Sequence, residues 1–289
     1  MIIDFRVRPP IASFRRLSIY TNTQLKGLFD FHGGTPASAR EQSLPMMFRE
    51  MQQAGVVKAV VWGRTVDDPA ESSSNDDVAN IVADHPDVFV AGLAGICLRG
   101  SGQKVVADAV AEVDRALTQL KLRGITIEPM FGMKPAGSPD QERLYPIYER
   151  CEQLGGLLGL TISRGSGPDQ DLSHCDPVHV DRIARTFPKL RIVVSHAFWP
   201  WTIESCGLAF RREHVYLLPD MYGVAMPGHT AWVELANTVS PDKVLFGSAY
   251  PIIGIPELVR GYLALPYRNE QIREMVLYRN AARLLGIAD

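Results

Sequence analysis

A single (β/α)8, or TIM, barrel spanning residues 1–289 is the fold class this sequence predicts. Eight short apolar runs recur along the chain, and amphipathic stretches of helical length lie between them, the alternation that builds a parallel sheet. With 46% hydrophobic and 21% charged residues the chain can bury a large core, which excludes a disordered polymer. An open doubly wound sheet is the competing arrangement, but the first strand is followed by no GxGxxG loop to hold a dinucleotide.

The runs follow in order. "MIIDFRV" opens the chain, and a stretch from about 9 to 42, rich in Pro, Gly, Ser, Thr and Arg, separates it from the first confident helix at 43–54. Connections of that length are usually lids, binding loops or surface excursions, and this one follows strand 1, so it is expected over the catalytic face. "VVKAVVWG" leads to a helix at 75–84, "VFVAGLAGI" to one at 104–120 and "GITIEP" to one at 140–154. "LLGLTIS" precedes a helix at 176–187, "LRIVVSH" comes next, "VYLLPD" precedes a helix at 229–239, and "KVLFGSAYP" is the eighth run. Their nearly continuous apolar character fits strands covered on both faces.

Charge and cysteine content narrow the partners. Thirty basic and 32 acidic residues are scattered to a net −2, without the basic stripe that a phosphate backbone requires, so nucleic acid is not expected. Cys97, Cys151, Cys175 and Cys206 form no CxxC pair and read as free thiols. The N-terminus lacks secretory-signal features, and no apolar run approaches the roughly 20 residues that span a bilayer, so a cytoplasmic protein without membrane partners is expected.

Several motifs resemble the amidohydrolase-2 family. "IIDFRVRPP" is similar to its strand-1 pattern IDxHxHxxP, "FPKLRIVVSHAFW" to its strand-6 pattern, "DKVLFGSAYP" to its strand-8 motif DRILFGSDYP, and "RNAARLLGI" to its closing helix. "SSNDDVANIVADHPDVFVAGLAGI" resembles the segment entering strand 3. The resemblance implies a barrel with a divalent metal held by two histidines on strand 1, one on strand 5, sometimes one on strand 6, and an aspartate on strand 8. Here the strand-1 positions are Arg6 and Arg8, the strand-5 position falls on Ser163 or its neighbour Arg164, and the strand-8 position is Ala249. Only His196 remains. One histidine cannot supply the three or more donors a zinc site uses, and two permanent cations oppose a metal there, so neither metal nor other cofactor is expected.

Strand alternation sends Asp4, Arg6 and Arg8 to one face and Ile3, Phe5 and Val7 to the other, the latter expected under the helices. The arginines then either pair with Asp4, Glu128 or Asp220 or, with Arg164, fork onto a substrate carboxylate or phosphate. Glu128, Ser163 and Arg164 are accordingly read as lining a substrate site. His196, at the end of strand 6, is the candidate general acid or base, with Asp220 its partner carboxylate. His32 in the long loop is placed to swing over the site; Trp199 and Trp201 wall a pocket or pack on the next helix; His174, His179 and His229 read as solvated.

The resemblance implies a metal-independent hydrolase of a small anionic substrate such as a lactone carboxylate. Its alternatives are a decarboxylase or other lyase of the same family, and a non-catalytic barrel that binds an anionic metabolite. Homo-oligomerisation is left open.

Overall fold

Seven parallel strands lie side by side in sequence order among the described residues: β1 (Ile2–Val7), β2 (Val56–Trp62), β3 (Phe89–Gly95), β4 (Gly124–Ile127), β5 (Leu157–Thr161), β6 (Arg191–Ser195) and β7 (Val215–Leu218). The computed structural model describes residues 1–21, 30, 33–66, 68–100, 102–129, 137–163 and 171–287. The main helices are α1 (Leu44–Gln53), α2 (Asn75–Asp84), α3 (Gln103–Asp114), α4 (Tyr145–Gln153), α5 (Pro177–Thr186), α6 (Thr202–Arg211), α7 (Thr230–Asn237) and α8 (Ile255–Leu263). Several start where the sequence places a cap: Ser43, Ser74 and Asp176 each accept a backbone N–H of the first turn, satisfying a donor that the helix leaves unpaired.

Residues 243–250 close the barrel. The backbone N–H of Leu245 donates to Leu217 at 2.8 Å, while Phe5 and Arg8 donate to Phe246 and Tyr250 at 2.9 and 3.0 Å, so this eighth run lies between β7 and β1. It is not a regular strand because side chains take its backbone donors. The Asp4 carboxylate accepts from Ser248 N at 2.9 Å, and Ser248 Oγ accepts from Tyr250 N at 3.0 Å.

One expectation about β1 is overturned. Ile3 and Phe5 do not lie under the helices; they pack inside the barrel with Val60, Trp62, Leu93, Val193 and Leu245, while Val7 joins the layer beneath the helices. The pairing of β1 with β2 slips between Ile2 and Ile3 and again between Asp4 and Val7, so strict alternation fails along this strand. Room for the large inner side chain of Trp62 comes from Gly159, where a Cβ would lie 2.8 Å from the indole ring.

The connection after β1 is more structured than a loop. Ala12–Arg16 forms a 3-10 turn and Ser18–Thr21 and Ala37–Arg40 short helices, with Phe14, Leu17, Tyr20 and Ala39 buried in the outer core. Ser13 N and Ser18 N donate to the carboxylates of Asp77 and Glu71, which pin it to the β2–α2 side. Residues 22–29 and 31–32, and with them His32, lie outside the described residues.

Candidate active site

The carboxyl ends of the strands carry the polar side chains. His196 follows β6 directly, and the chain turns there through left-handed conformations at His196, Ala197 and Phe198 (φ 67°, 43° and 65°). Asp220, just past β7, and Ala249, on the eighth run, share that conformation at 45° and 55°. Each such non-glycine residue costs about 1–3 kcal/mol, and their concentration on one rim is the pattern of a functional site.

The turns bring His196 and Asp220 together. The imidazole Nδ1 lies 2.8 Å from Asp220 Oδ1, while Ser195 Oγ and the His196 backbone N–H donate to Oδ2 at 2.7 and 3.2 Å. Asp220 thus fixes the tautomer with its proton on Nδ1 and leaves Nε2 as the nitrogen for proton transfer. Burial pushes the imidazole pKa below its ordinary value against the opposing pull of Asp220, so the ring is neutral at neutral pH. Tyr222 meets the ring edge-on at 5.0 Å, and Trp199 stacks on Tyr222 at 5.3 Å.

The two strand-1 arginines have different fates. Arg8 is ion-paired with Glu128 and donates through Nε to the Trp62 carbonyl at 3.3 Å; Arg64 approaches the same carboxylate at 3.9 Å. Burial raises the Glu128 pKa, but Arg8, Arg64 and Arg6 outweigh it and hold the carboxyl down at about 2. Burial pulls Arg8 down to about 9, with Arg6 and Arg64 acting in the same direction against the attraction of Glu128, and it remains charged at neutral pH. Arg6, by contrast, stands 3.6 Å from Asp220 and 5.6 Å from the Trp62 ring centre, and its buried Nε has no hydrogen-bond partner.

Two buried hydroxyls share that condition, Thr126 Oγ1 and Thr161 Oγ1. Ile125 and Ile127 on β4, and Leu158, Leu160 and Ile162 on β5, pack outward, so alternation turns Thr126 and Thr161 into the barrel together with Glu128 and Ser163. Buried polar atoms are almost always satisfied, and three unspent groups inside one barrel mark a place for a polar ligand or water.

Asp4 pairs with neither arginine side chain. Its Oδ1 accepts the backbone N–H groups of Arg6 and Ser248 at the β1 seam. Burial raises its pKa from 3.8 to about 6, against the lowering effect of its bonds from Ser248 and Arg6. A raised folded-state pKa contributes stability that is complete below 3.8 and lost as pH rises through about 6. Asp4→Asn, which keeps the accepting oxygen, should therefore melt higher than wild type at about pH 8 by the equivalent of about 3 kcal/mol and match it below about pH 4. Equal melting curves at both pH values would show that burial of this carboxyl carries no penalty.

Ser163 lies at the end of β5, buried, with its carbonyl accepting the Cys175 thiol, and Arg164 lies outside the described residues. Trp201 packs against the outer core, and His179 is engaged by Asp140 at 2.9 Å instead of being solvated. Arg64, Trp62, Thr126, Thr161 and Ser195 were not singled out from sequence. For Thr126 and Thr161 a signal was present, since each stands two positions before a residue that was, Glu128 or Ser163, and so shares its face; Trp62, Arg64 and Ser195 had no such neighbour in phase.

A sequence profile of the Amidohydrolase family matches residues 22–287. The chain belongs to this family. A curated relative, 2-amino-3-carboxymuconate-6-semialdehyde decarboxylase of Dictyostelium discoideum, is 26% identical over 249 residues, covering 74% of this chain but only 65% of that protein. Among solved structures, an uncharacterized TIM-barrel protein from Bordetella bronchiseptica matches with TM-score 0.87 and 35% identity over 99% of this chain and 98% of that one. 5-Carboxyvanillate decarboxylase from Sphingomonas paucimobilis matches with TM-score 0.66 and 20% identity over 99% and 98%, a likeness of fold.

This amidohydrolase chain does not fit the divalent metal that the family resemblance implies. Of the corresponding positions only His196 offers a donor, its Nδ1 is committed to Asp220, and Arg6 and Arg8 bring two cations to the same mouth. Among the described residues no three His, Cys, Asp or Glu side chains gather as a metal-holding group.

Proposed function

We propose that this chain is a lyase that removes carbon dioxide from a small anionic acid, without the family's metal. The observation that carries the reading is the unspent buried Nε of Arg6, with the unpaired Thr126 and Thr161 hydroxyls, inside the barrel that holds the His196–Asp220 pair. The decarboxylase among the relatives supports the lyase reading over hydrolysis.

In this reading Arg6 holds the substrate oxygen on which negative charge develops as the carbon–carboxylate bond breaks. The electron pair of that bond passes to carbon and into the conjugated oxygen, carbon dioxide leaves, and His196 Nε2–H delivers a proton to the carbon. The free imidazole is neutral, and the arriving substrate anion favours its protonated form, which Asp220 steadies through Nδ1. Arg8, ion-paired with Glu128 and donating to the Trp62 carbonyl, fixes the wall behind the substrate.

One observation favours the alternative, hydrolysis: a neutral imidazole with a free Nε2 is suited to activating water. Product analysis on a panel of conjugated carboxylic acids and lactone carboxylates separates the two. Release of carbon dioxide without uptake of solvent oxygen is expected; ring opening with oxygen uptake would replace the lyase reading with the hydrolytic one.

Anion binding by Arg6 has its own readout. A dicarboxylate at 100 times its dissociation constant adds about 2.7 kcal/mol to folding, which should raise the melting temperature by about 5 °C in a chain of this size. Arg6→Met should abolish that response; because Arg6 Nη1 also stands 3.6 Å from the buried Asp220 carboxylate, the ligand-free variant should melt lower, and the readout is the loss of the ligand-induced rise. A full response in Arg6→Met would place the anion elsewhere.

A further inference from the structure

The exposed face of α6 is apolar in the middle and charged on one side. Ile203 and Phe210 are 73% and 63% exposed, Gly207 lies between them, and a Cβ added at Gly207 would meet nothing within 4 Å. The opposite face, Thr202, Ser205, Leu208 and Ala209, is buried against the barrel. At 3.6 residues per turn Ile203, Gly207 and Phe210 fall within about 60° of one another, and Glu204 and Arg211 lie together along one flank, about 10 Å apart. Neither Glu204 nor Arg211 makes an ion pair or hydrogen bond among the described residues.

The geometry points to a second copy of this chain as the occupant of that face, docked by α6 against α6 in an antiparallel two-fold pair. A two-fold axis perpendicular to the helix reverses its direction and carries the charged flank onto the same flank of the partner, so a patch that pairs with itself must be complementary end to end. This one is. With the axis between Gly207 and Leu208, Glu204 of each copy faces the partner's Arg211, and Ile203 packs beside the partner's Phe210. Gly207 at the centre lets the two backbones approach closely, while Phe210 supplies the kind of buried aromatic anchor on which interfaces depend. A different apolar partner would have no reason to match a positive end and a negative end at this spacing.

Sedimentation velocity on the full chain tests the pairing. Wild type should sediment as a dimer at about 10 µM, and Phe210→Glu as a monomer of unchanged secondary structure. Gly207→Arg, placed where the monomer offers open space, is a second disruptor that does not depend on Phe210. Glu204→Arg and Arg211→Glu should each weaken the dimer at least about tenfold by setting like charges opposite one another, and the double reversal should restore it. A wild type that stays monomeric at about 100 µM, or a dimer that survives both Phe210→Glu and Gly207→Arg, would overturn the proposal. Single reversals without rescue in the double variant would overturn the antiparallel register.

Discussion

Turnover of His196→Asn is expected to fall about 100- to 10,000-fold, the range a positioned acid or base contributes, with little change in substrate affinity. The imidazole reaches the reaction only through Nε2, because Nδ1 is held at 2.8 Å by Asp220, and no other histidine is brought to this pair among the described residues. Asp220→Asn should follow it closely, since an amide can donate to Nδ1 and so favours the wrong tautomer. The direction of the pH profile identifies the chemistry. The pKa of His196 is lowered, so a free enzyme that needs the protonated ring loses kcat/KM as pH rises through a value below the ordinary 6.5. An enzyme that needs the neutral ring gains over that interval. The lyase reading requires the falling limb, and its loss in His196→Asn. An Asn variant with near wild-type turnover would assign the pair to structure.

The largest effect on stability should come from Glu128→Gln. Buried Glu128 is ion-paired with Arg8 and lies 3.9 Å from Arg64, and its removal leaves the buried Arg8 guanidinium without that carboxylate, which costs about 3–5 kcal/mol in comparable cases. That corresponds to a melting temperature lower by about 6–9 °C in a chain of this length. The second substitution Arg8→Met should recover much of the loss, because an apolar side chain in the same space leaves less charge stranded. The pH dependence follows from a carboxyl held down at about 2 against the usual 4.5: the stability it contributes is complete above 4.5 and is lost as pH falls through about 2. Glu128→Gln should therefore be less acid-sensitive than wild type across that interval. A Gln variant that melts like wild type at neutral pH would mean that the ion pair contributes nothing net.

The two ends of the chain show how legibility divides. "DKVLFGSAYP" and "FPKLRIVVSHAFW" announced barrel strands and a family because their apolar runs and turn residues are local in sequence, and the profile over residues 22–287 agrees. The first strand is legible in length and in the facing of Arg6, Val7 and Arg8, but not in that of Ile3 and Phe5. Its register slips depend on how β2 pairs with it, and nothing within "MIIDFRV" encodes the partner's phase. The connection after it was read as loop because short helices of four or five residues, held by distant carboxylates such as Glu71 and Asp77, leave no periodic signature.

By itself, then, the sequence determined the α/β barrel, the family, and which residues stand at the strand ends: Arg6, Arg8, Glu128, Ser163, His196, Asp220 and Ala249. Apolar runs and strand-terminal motifs are short-range properties, and they place a residue at a strand end even where, as in β1, register slips break the alternation. Which of the two arginines keeps a buried Nε without a partner was settled only in three dimensions. Arg8 and Glu128 are 120 residues apart and meet because β1 and β4 converge on one barrel interior, while Arg6, two residues earlier, ends over the Trp62 ring with its Nε unpaired. The pairing of His196 with Asp220 likewise depends on left-handed turns at both residues, a backbone state uncommon outside glycine, which Asp and His tolerate better than most and the surrounding fold imposes.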